Sequence, residues 1–200
     1  MEKKKLILRV SVMCLALGMG VSAWAEQKQP AKSIPAKILP IAVEVTSVER
    51  LNAIAAKPPF QATDVLVFRV NFKLSNPNKA LAKVDDLYFE AKVEDGTRDK
   101  TIVIAESMPS GVIPAGGEMM WSATSPFLYG GVRASFMLRG VGGEEGVKGA
   151  SQKIEELWID LGADKKAFFI DGNITTSLPD FPKLGGVREQ FKTEFTIPKL

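Results

Sequence analysis

Three groups of carboxylates are the residues of this chain that could bind a metal ion. They are Asp85-Asp86, Glu94-Asp95 with Asp99, and Glu144-Glu145. Calcium takes oxygen ligands, but none of these groups has the alternating oxygen ligands and closing glutamate of an EF-hand loop. Neighbouring residues on a strand also point to opposite faces, so an adjacent pair does not converge on one ion. The spacing therefore predicts solvated surface and no metal site.

The glycine-rich stretch 140–146 (GVGGEEG) invites a phosphate-binding interpretation. It does not fit the dinucleotide pattern G-x-G-x-x-G, and no Lys-Ser or Lys-Thr follows it as in a P-loop. Two carboxylates within the stretch, Glu144 and Glu145, would also repel a phosphate. The stretch is predicted to be a flexible loop, and no cofactor is predicted for this chain.

The first 25 residues have the composition of a secretory signal peptide. The segment Met1 to Arg9 carries four basic side chains and one acidic side chain, and residues 10–25 are uncharged. The stretch ends in Ala23-Trp24-Ala25, a small-x-small cleavage pattern. Its uncharged part is shorter than the roughly 20 apolar residues of a spanning helix, and the residues before Cys14 make a poor lipobox. We expect cleavage after residue 25, a periplasmic or secreted location, and no stable transmembrane segment after processing.

Processing would leave a chain without histidine or cysteine, because the sequence has no His and its only cysteine is Cys14. This composition excludes Ser-His-Asp triads, cysteine nucleophiles, disulfides, haem and iron–sulfur ligation, and nearly every zinc site. Glycoside hydrolysis by two carboxylates needs no histidine, and neither does a Ser-Lys dyad. However, no Ser-x-x-Lys occurs after residue 25, and no carboxylate lies in an aromatic-rich run. The chain is predicted not to be an enzyme.

The charge balance argues against a nucleic-acid partner. Residues 1–25 hold four of the 26 basic and one of the 23 acidic side chains, so the processed chain has equal numbers of both. Binding to phosphates needs clustered lysine and arginine. No nucleic acid is expected as a partner.

After the signal peptide, residues 26–37 (EQKQPAKSIPAK) are predicted to be a flexible leader, and residues 38–200 a single domain. Within the domain, two-residue alternation predominates. The clearest case runs from Leu66 through Phe68, Val70 and Phe72 to Leu74, and residues 87–93 repeat the scheme before a hairpin-type turn at Asp95-Gly96. Such alternation predicts half-buried strands.

Seven short strands are predicted in all, with turn signals between them. They lie near residues 41–45, 66–74, 87–93, 101–105, 118–124, 168–178 and 187–197. This profile is typical of a mainly β protein, an immunoglobulin-like antiparallel β-sandwich of about seven strands.

One segment has helical periodicity instead. Ile154, Leu157, Trp158 and Leu161 recur at i, i+3, i+4 and i+7, with Ser151 as a candidate N-cap. This pattern predicts one short amphipathic helix over residues 151–161 that covers an end or edge of the sandwich. The Gly-rich stretch 130–149 is predicted to be an irregular insertion that contains a strand at 132–138.

The most distinctive local motif is Asn76-Pro77-Asn78, which ends the clearest strand. Proline cannot donate to a β-ladder and restricts the residue before it, so the strand is expected to stop here. The flanking asparagine side chains can pair with backbone groups that the turn exposes. The motif is predicted to be structural and not a ligand contact.

This motif in its setting resembles the late embryogenesis abundant (LEA) type 2 family, whose module is also called the water stress and hypersensitive response (WHy) domain. The resemblance rests on the alternating strand that ends in Asn76-Pro77-Asn78, followed by segments 84–90 (VDDLYFE), 113–117 (IPAGG) and 168–174 (FFIDGNI). It covers roughly residues 38–200 and departs from the family pattern at 130–149. The resemblance implies an antiparallel β-sandwich with a helix, a part in desiccation and stress responses, and no catalytic residues.

Together these features predict an exported, non-enzymatic, stress-associated protective or binding module, of the desiccation-tolerance type, that contacts an envelope protein. The alternative is a carrier of an apolar ligand, such as a lipid, in the cell envelope. Its cavity would lie between the sheets, with the 154–161 helix as a lid. Phenylalanines would line it: Phe68, Phe72, Phe89, Phe168, Phe191 and Phe195. The same side chains could instead fill a densely packed core.

Overall fold

The computed structural model describes Pro35 and residues 37–53, 58–95, 100–141 and 143–196. Within them the chain forms eight β-strands and two α-helices. In chain order these are β1 (Ala42–Arg50), β2 (Val65–Ser75), β3 (Ala82–Glu94), β4 (Lys100–Met108), β5 (Gly111–Ile113), β6 (Glu118–Leu128), α1 (Tyr129–Leu138), α2 (Gly146–Gly162), β7 (Ala167–Ser177) and β8 (Gly186–Thr196).

The strands pair antiparallel and build two sheets that pack as a sandwich. The three-stranded sheet has the order β1-β2-β6, and the five-stranded sheet has the order β4-β3-β7-β8, with β5 paired to the start of β3. The predicted mainly β sandwich is confirmed. The strand that the sequence did not predict is β5, which has only three residues and is too short to show alternation.

The core lies between the sheets because alternate residues of the central strands point inward. On β2, the five predicted apolar residues from Leu66 to Leu74 are completely buried. The facing strands β3 and β7 contribute the other half of the core: Leu87, Phe89, Ala91, Val93, Phe168, Ile170 and Ile174. A shift of one residue in register would turn these side chains out to solvent, so the two-residue period specifies the pairing.

Helix α2 contains the predicted helix but begins at Gly146 instead of near Ser151. The four residues that the helical period singled out, from Ile154 to Leu161, are buried. Among them, the Trp158 indole stacks on Phe127 at 5.8 Å and meets the Tyr129 ring edge-on at 5.3 Å. The apolar stripe of α2 therefore packs against the end of β6.

For residues 130–149 the sequence prediction was wrong. In place of an irregular insertion with a strand at 132–138, the chain forms α1 and the first turn of α2. The start of α1 is held by the turn after Phe60, since the N–H groups of Tyr129 and Gly130 donate to the carbonyls of Asp64 and Ala62 at 2.9 and 3.1 Å. These bonds pair N–H groups that a helix start leaves open. A Cβ on Gly130 would lie 2.8 Å from the Ala62 carbonyl oxygen, so the close approach requires glycine.

The first glycine of the 140–146 stretch, Gly140, lies at the end of helix α1. Gly140 has φ +65°, and its N–H donates to the Met137 carbonyl while the N–H of Val141 donates to that of Phe136. This pair of bonds is a Schellman motif, which favours glycine at the left-handed position. The residue that invited a phosphate-binding interpretation terminates a helix.

Some predictions fall wholly or partly outside the described residues. They are the signal peptide at 1–25, most of the leader at 26–37, the turn at Asp95-Gly96, of which only Asp95 is described, the acidic residue Asp99, and the last residue of the strand at 187–197. Within the described part of the chain, no helix has the length and apolar character needed to cross a membrane.

Candidate functional site

The motif Asn76-Pro77-Asn78 lies between β2 and β3, where both asparagines are buried. The side-chain oxygen of Asn76 accepts hydrogen bonds from the backbone N–H and the amide nitrogen of Asn78, at 2.9 and 3.0 Å. The side-chain nitrogen of Asn76 donates to three carbonyls at 2.9–3.1 Å: those of Ala80, Ile113 and Pro114.

The second asparagine extends this network to the segment before β1. The side chain of Asn78 exchanges two hydrogen bonds with the backbone of Leu39, at 2.8 and 2.9 Å. Backbone bonds from Asn76 to Gly117 and from Gly116 to Asn78 join the turn before β6. The motif therefore connects three loops at one end of the sandwich. Its side-chain amides form hydrogen bonds with other groups of the same chain.

The phenylalanines that would line an interior ligand cavity contact one another across the two sheets. Phe68 of β2 meets Phe168 of β7 edge-on at 5.3 Å, and Phe72 meets Phe89 of β3 at 4.8 Å. All four of these side chains are completely buried. Edge-to-face contacts at these distances are favourable packing for aromatic rings. A ligand between the sheets at these positions would have to separate them.

An open groove lies on the surface where the start of β4 meets α1. It has a volume of about 420 Å³ and is called here the β4–α1 groove. Its lining comprises Lys100, Thr101, Ile102, Phe127, Leu128, Gly131, Val132, Ser135 and Arg139. Ile102 and Leu128 are 46% and 50% exposed, so the groove presents apolar surface to solvent.

Arg139 is fixed at the groove by a buried carboxylate. Its Nη2 donates to Asp95 Oδ2 at 2.9 Å and to Thr101 Oγ1 at 3.2 Å, and Thr101 itself donates to Asp95 at 2.8 Å. The Asp95 side chain has no exposed surface, whereas 29% of the Arg139 side chain is exposed. The arrangement neutralises a buried carboxylate and holds the guanidinium in place.

The outer face of the five-stranded sheet carries a polar cluster. The Tyr88 hydroxyl donates to Glu90 at 2.6 Å, and the Lys92 ammonium lies 2.6 Å from Glu90 and 3.1 Å from Asp171. The hydrogen bond from Lys92, followed by that from Tyr88, holds the pKa of Glu90 below its ordinary value of 4.5. The same bond to Glu90 raises the pKa of Lys92. The cluster borders a shallow depression of about 510 Å³ over the backbone of Gly172.

Acid is expected to weaken the fold through Glu90. Because the pKa of Glu90 is lower in the folded state, its contribution is present above pH 4.5 and is lost as the pH falls through the folded-state pKa. In urea denaturation from pH 7 to pH 3, Glu90→Gln should be less stable than the unmodified protein above pH 4.5, and the difference should shrink below it. Glu94→Gln, at an exposed position of the same strand, is the control. A difference that does not depend on pH would contradict the assignment.

Asp99 lies outside the described residues, and the other acidic residues singled out in the sequence are spread over the surface or paired. Asp85 lies 2.8 Å from the Lys83 ammonium, whereas Glu144 and Glu145 are exposed on a short 3-10 turn. In the described ranges, no group of three or more Asp, Glu, His or Cys side chains is arranged to hold a metal ion.

Sequence reasoning missed the β4–α1 groove and its residues Thr101 and Arg139. Helix α1 forms one wall of the groove. The sequence did not predict this helix because it contains glycines at 130 and 131, and glycine disfavours helix interiors. A helical signal was present: Tyr129, Val132 and Phe136 recur at i, i+3 and i+7 and are the buried residues of α1.

Two buried polar atoms have no hydrogen-bond partner among the described residues. They are Nε1 of Trp158, in the aromatic cluster beside α2, and Oδ1 of Asn173, beside the outer-face depression. Unpaired buried polar atoms cost stability, but neither atom lies in the lining of the β4–α1 groove.

Comparison with known proteins gives only distant likenesses. No protein-family model and no curated protein matches the chain. Among solved structures, a protein of Arabidopsis thaliana is 13% identical, with a TM-score of 0.41 over 86% of this chain and 93% of that one. A candidate LEA protein is 13% identical, with a TM-score of 0.35 over 80% of this chain and 73% of its own.

A third likeness is to PapD-like domain 7 of human CEP192, which is 9% identical, with a TM-score of 0.34 over 84% of this chain and 94% of that one. Likenesses of this size carry no argument about function. Membership of the LEA type 2 family therefore stays a prediction from the residues.

Proposed function

We propose that this chain is an exported, non-enzymatic binding or protective module that acts in the stress response of the cell envelope. The observation that carries the proposal is the location of an open apolar space among the described residues. That space is the β4–α1 groove on the surface, with a volume of about 420 Å³, which is within the range of sites that bind small ligands or short segments.

The interior offers less support to the rival hypothesis of a lipid held between the sheets. The ring contacts from Phe68 to Phe168 and from Phe72 to Phe89 fill the space that such a ligand needs. Helix α2, the lid of that hypothesis, is anchored by Trp158 in an aromatic cluster. These contacts favour a packed core and a binding surface on the outside.

Export and the stress role rest on the sequence. The basic and then uncharged composition of residues 1–25 supports export. The resemblance of Asn76-Pro77-Asn78 and its neighbouring segments to the LEA type 2 family supports a part in desiccation or osmotic stress. The absence of histidine from the chain supports a role without acid–base chemistry by imidazole.

The stress role is tested by deletion and complementation. A strain that lacks the protein should survive drying, osmotic upshift and detergent less well than its parent, and the full chain supplied in trans should restore survival. Unchanged survival of the deletion strain under all three challenges would refute the proposal. Mass spectrometry of the exported protein tests processing, because an intact Met1 would contradict cleavage after residue 25.

A further inference from the structure

We propose that the β4–α1 groove binds an extended peptide segment of another protein, which adds as a strand beside Lys100–Ile102 and presents a carboxylate to Arg139. This inference rests on the proposed function as a binding module and names the chemistry of its partner. It commits to a peptide because one wall of the groove is a strand edge, which pairs with backbone groups.

Strand β4 has a free edge within the described part of the chain. Among the described strands β4 pairs only with β3, so half of its backbone N–H and C=O groups point away from a partner. From Lys100 to Ile102 the pairing with β3 is regular, and the register shift lies just beyond, near Val103. Three regular residues span about 10 Å of edge that has no strand partner among the described residues.

The other part of β4 and the neighbouring edge are protected against strand addition. Glu106 pairs with the buried Phe89 and so points its charge toward the inner face at the sheet edge. On the edge of the other sheet, β6 carries Pro126, which has no N–H to donate. Inward charges, bulges, prolines and edge lysines are devices that block edge pairing. Thr101 and Ile102 lack such a device, and the Lys100 side chain lies over the Phe169 ring.

The helix wall of the groove leaves room for the side chains of a bound strand. Gly131 and Ser135 are one helical turn apart on the face of α1 that lines the groove. A Cβ built on Gly131 meets no atom within 4 Å, so the space above it is open. Apolar side chains of a bound strand could fill this space against Ile102 and Leu128, which are half exposed in its absence.

The charges that line the groove favour an acidic ligand. The charged side chains in the groove lining, Lys100 and Arg139, are both cationic, and no carboxylate lines it. Arg139 uses only Nη2 for its bonds to Asp95 and Thr101, so in the described part of the chain its Nε and Nη1 make no hydrogen bond. The Lys100 ammonium lies over the Phe169 ring and has no carboxylate partner among the described residues. An acidic or carboxyl-terminal group on the bound segment complements this lining.

The inference is tested with end-blocked, fluorescein-labelled hexapeptides of alternating valine and threonine that carry one central glutamate or one central lysine. In fluorescence anisotropy with the purified protein, the glutamate peptide should bind about ten-fold more tightly than the lysine peptide. A glutamate peptide N-methylated at every residue cannot donate backbone hydrogen bonds and should lose binding. Equal binding of the N-methylated peptide would overturn strand addition.

Matched variants locate the site. Gly131→Phe fills the groove without a steric conflict at Cβ and should weaken binding of the glutamate peptide by at least about ten-fold. Ala134→Phe, at an exposed position of the same helix that does not line the groove, should leave binding unchanged. Ser135→Trp is a second filling variant, and circular dichroism checks that each variant folds. Equal loss in Gly131→Phe and Ala134→Phe would refute the groove as the site.

The outcomes also separate this inference from the proposed function. If the glutamate peptide fails to bind while oleate does, and Gly131→Phe abolishes oleate binding, the groove holds an amphiphile and the peptide inference is wrong. If no peptide binds but the full chain rescues the deletion strain, the peptide inference falls and the stress role stands. If the peptide binds as expected but deletion has no effect on survival, the stress role falls alone.

Discussion

Replacing Asn76 by alanine is expected to lower the free energy of unfolding by about 3 kcal/mol. The substitution removes a buried amide that donates to the carbonyls of Ala80, Ile113 and Pro114 and accepts two bonds from Asn78. Buried backbone groups left without partners carry a desolvation cost, and water cannot easily replace Asn76, which is only 2% exposed.

Urea denaturation followed by far-UV circular dichroism measures this loss. Lys79→Ala, at an exposed position of the same turn, should change stability by less than about 0.5 kcal/mol. Similar stability of Asn76→Ala and Lys79→Ala would show that the turn holds its shape without the asparagine network. The structural interpretation of Asn76-Pro77-Asn78 would then have to be abandoned.

Gly172→Ala is expected to destabilise the protein by about 3 kcal/mol or to prevent folding. Gly172 lies in the centre of β7, and a Cβ there would be 2.2 Å from the Tyr88 carbonyl oxygen and 2.9 Å from Phe89 Cα. Both atoms belong to the backbone of β3, so neither can rotate away. The added methyl would also lie 2.7 Å from the ring of Phe191.

The matched control is Gly186→Ala on the adjacent strand β8. There a Cβ would be 3.4 Å from the Thr176 carbonyl oxygen, an ordinary contact. Thermal unfolding should therefore show a large fall in Tm for Gly172→Ala and little change for Gly186→Ala. Hydrogen exchange should localise the loss to the amides that pair β3 with β7, and unaltered exchange there would contradict the steric argument.

Local pattern was enough to predict every described strand except β5, because the signal of the longer strands lies in the alternation of their own residues. The five apolar residues that alternate from Leu66 to Leu74 in the sequence are completely buried in the structure. Helix α2 was predicted for the same reason, since Ile154, Leu157, Trp158 and Leu161 form one buried stripe. Its start was misplaced because the first turn has no side-chain cap, with Glu145 at the N-cap position.

Helix α1 shows where local pattern fails. Its two glycines disfavour a helix, yet Gly130 is the residue that lets the helix start approach Ala62, more than 60 positions earlier in the sequence. The bonds from Tyr129 and Gly130 to that distant turn replace a local N-cap. Only tertiary contact supplies the partners, so local sequence favoured an irregular loop.

The candidate site has the same origin. The sequence by itself determined which face of each long strand is apolar and which stripe of α2 is buried. It also singled out the turn at Asn76-Pro77-Asn78. Each of these features depends on residues that are near one another in the chain. The β4–α1 groove was decided by tertiary structure, since Thr101 and Arg139 are 38 positions apart and meet at Asp95 only after β3, β4 and α1 have packed. Periodicity reports the face that an element buries, whereas a groove between two elements depends on where packing brings their exposed faces together.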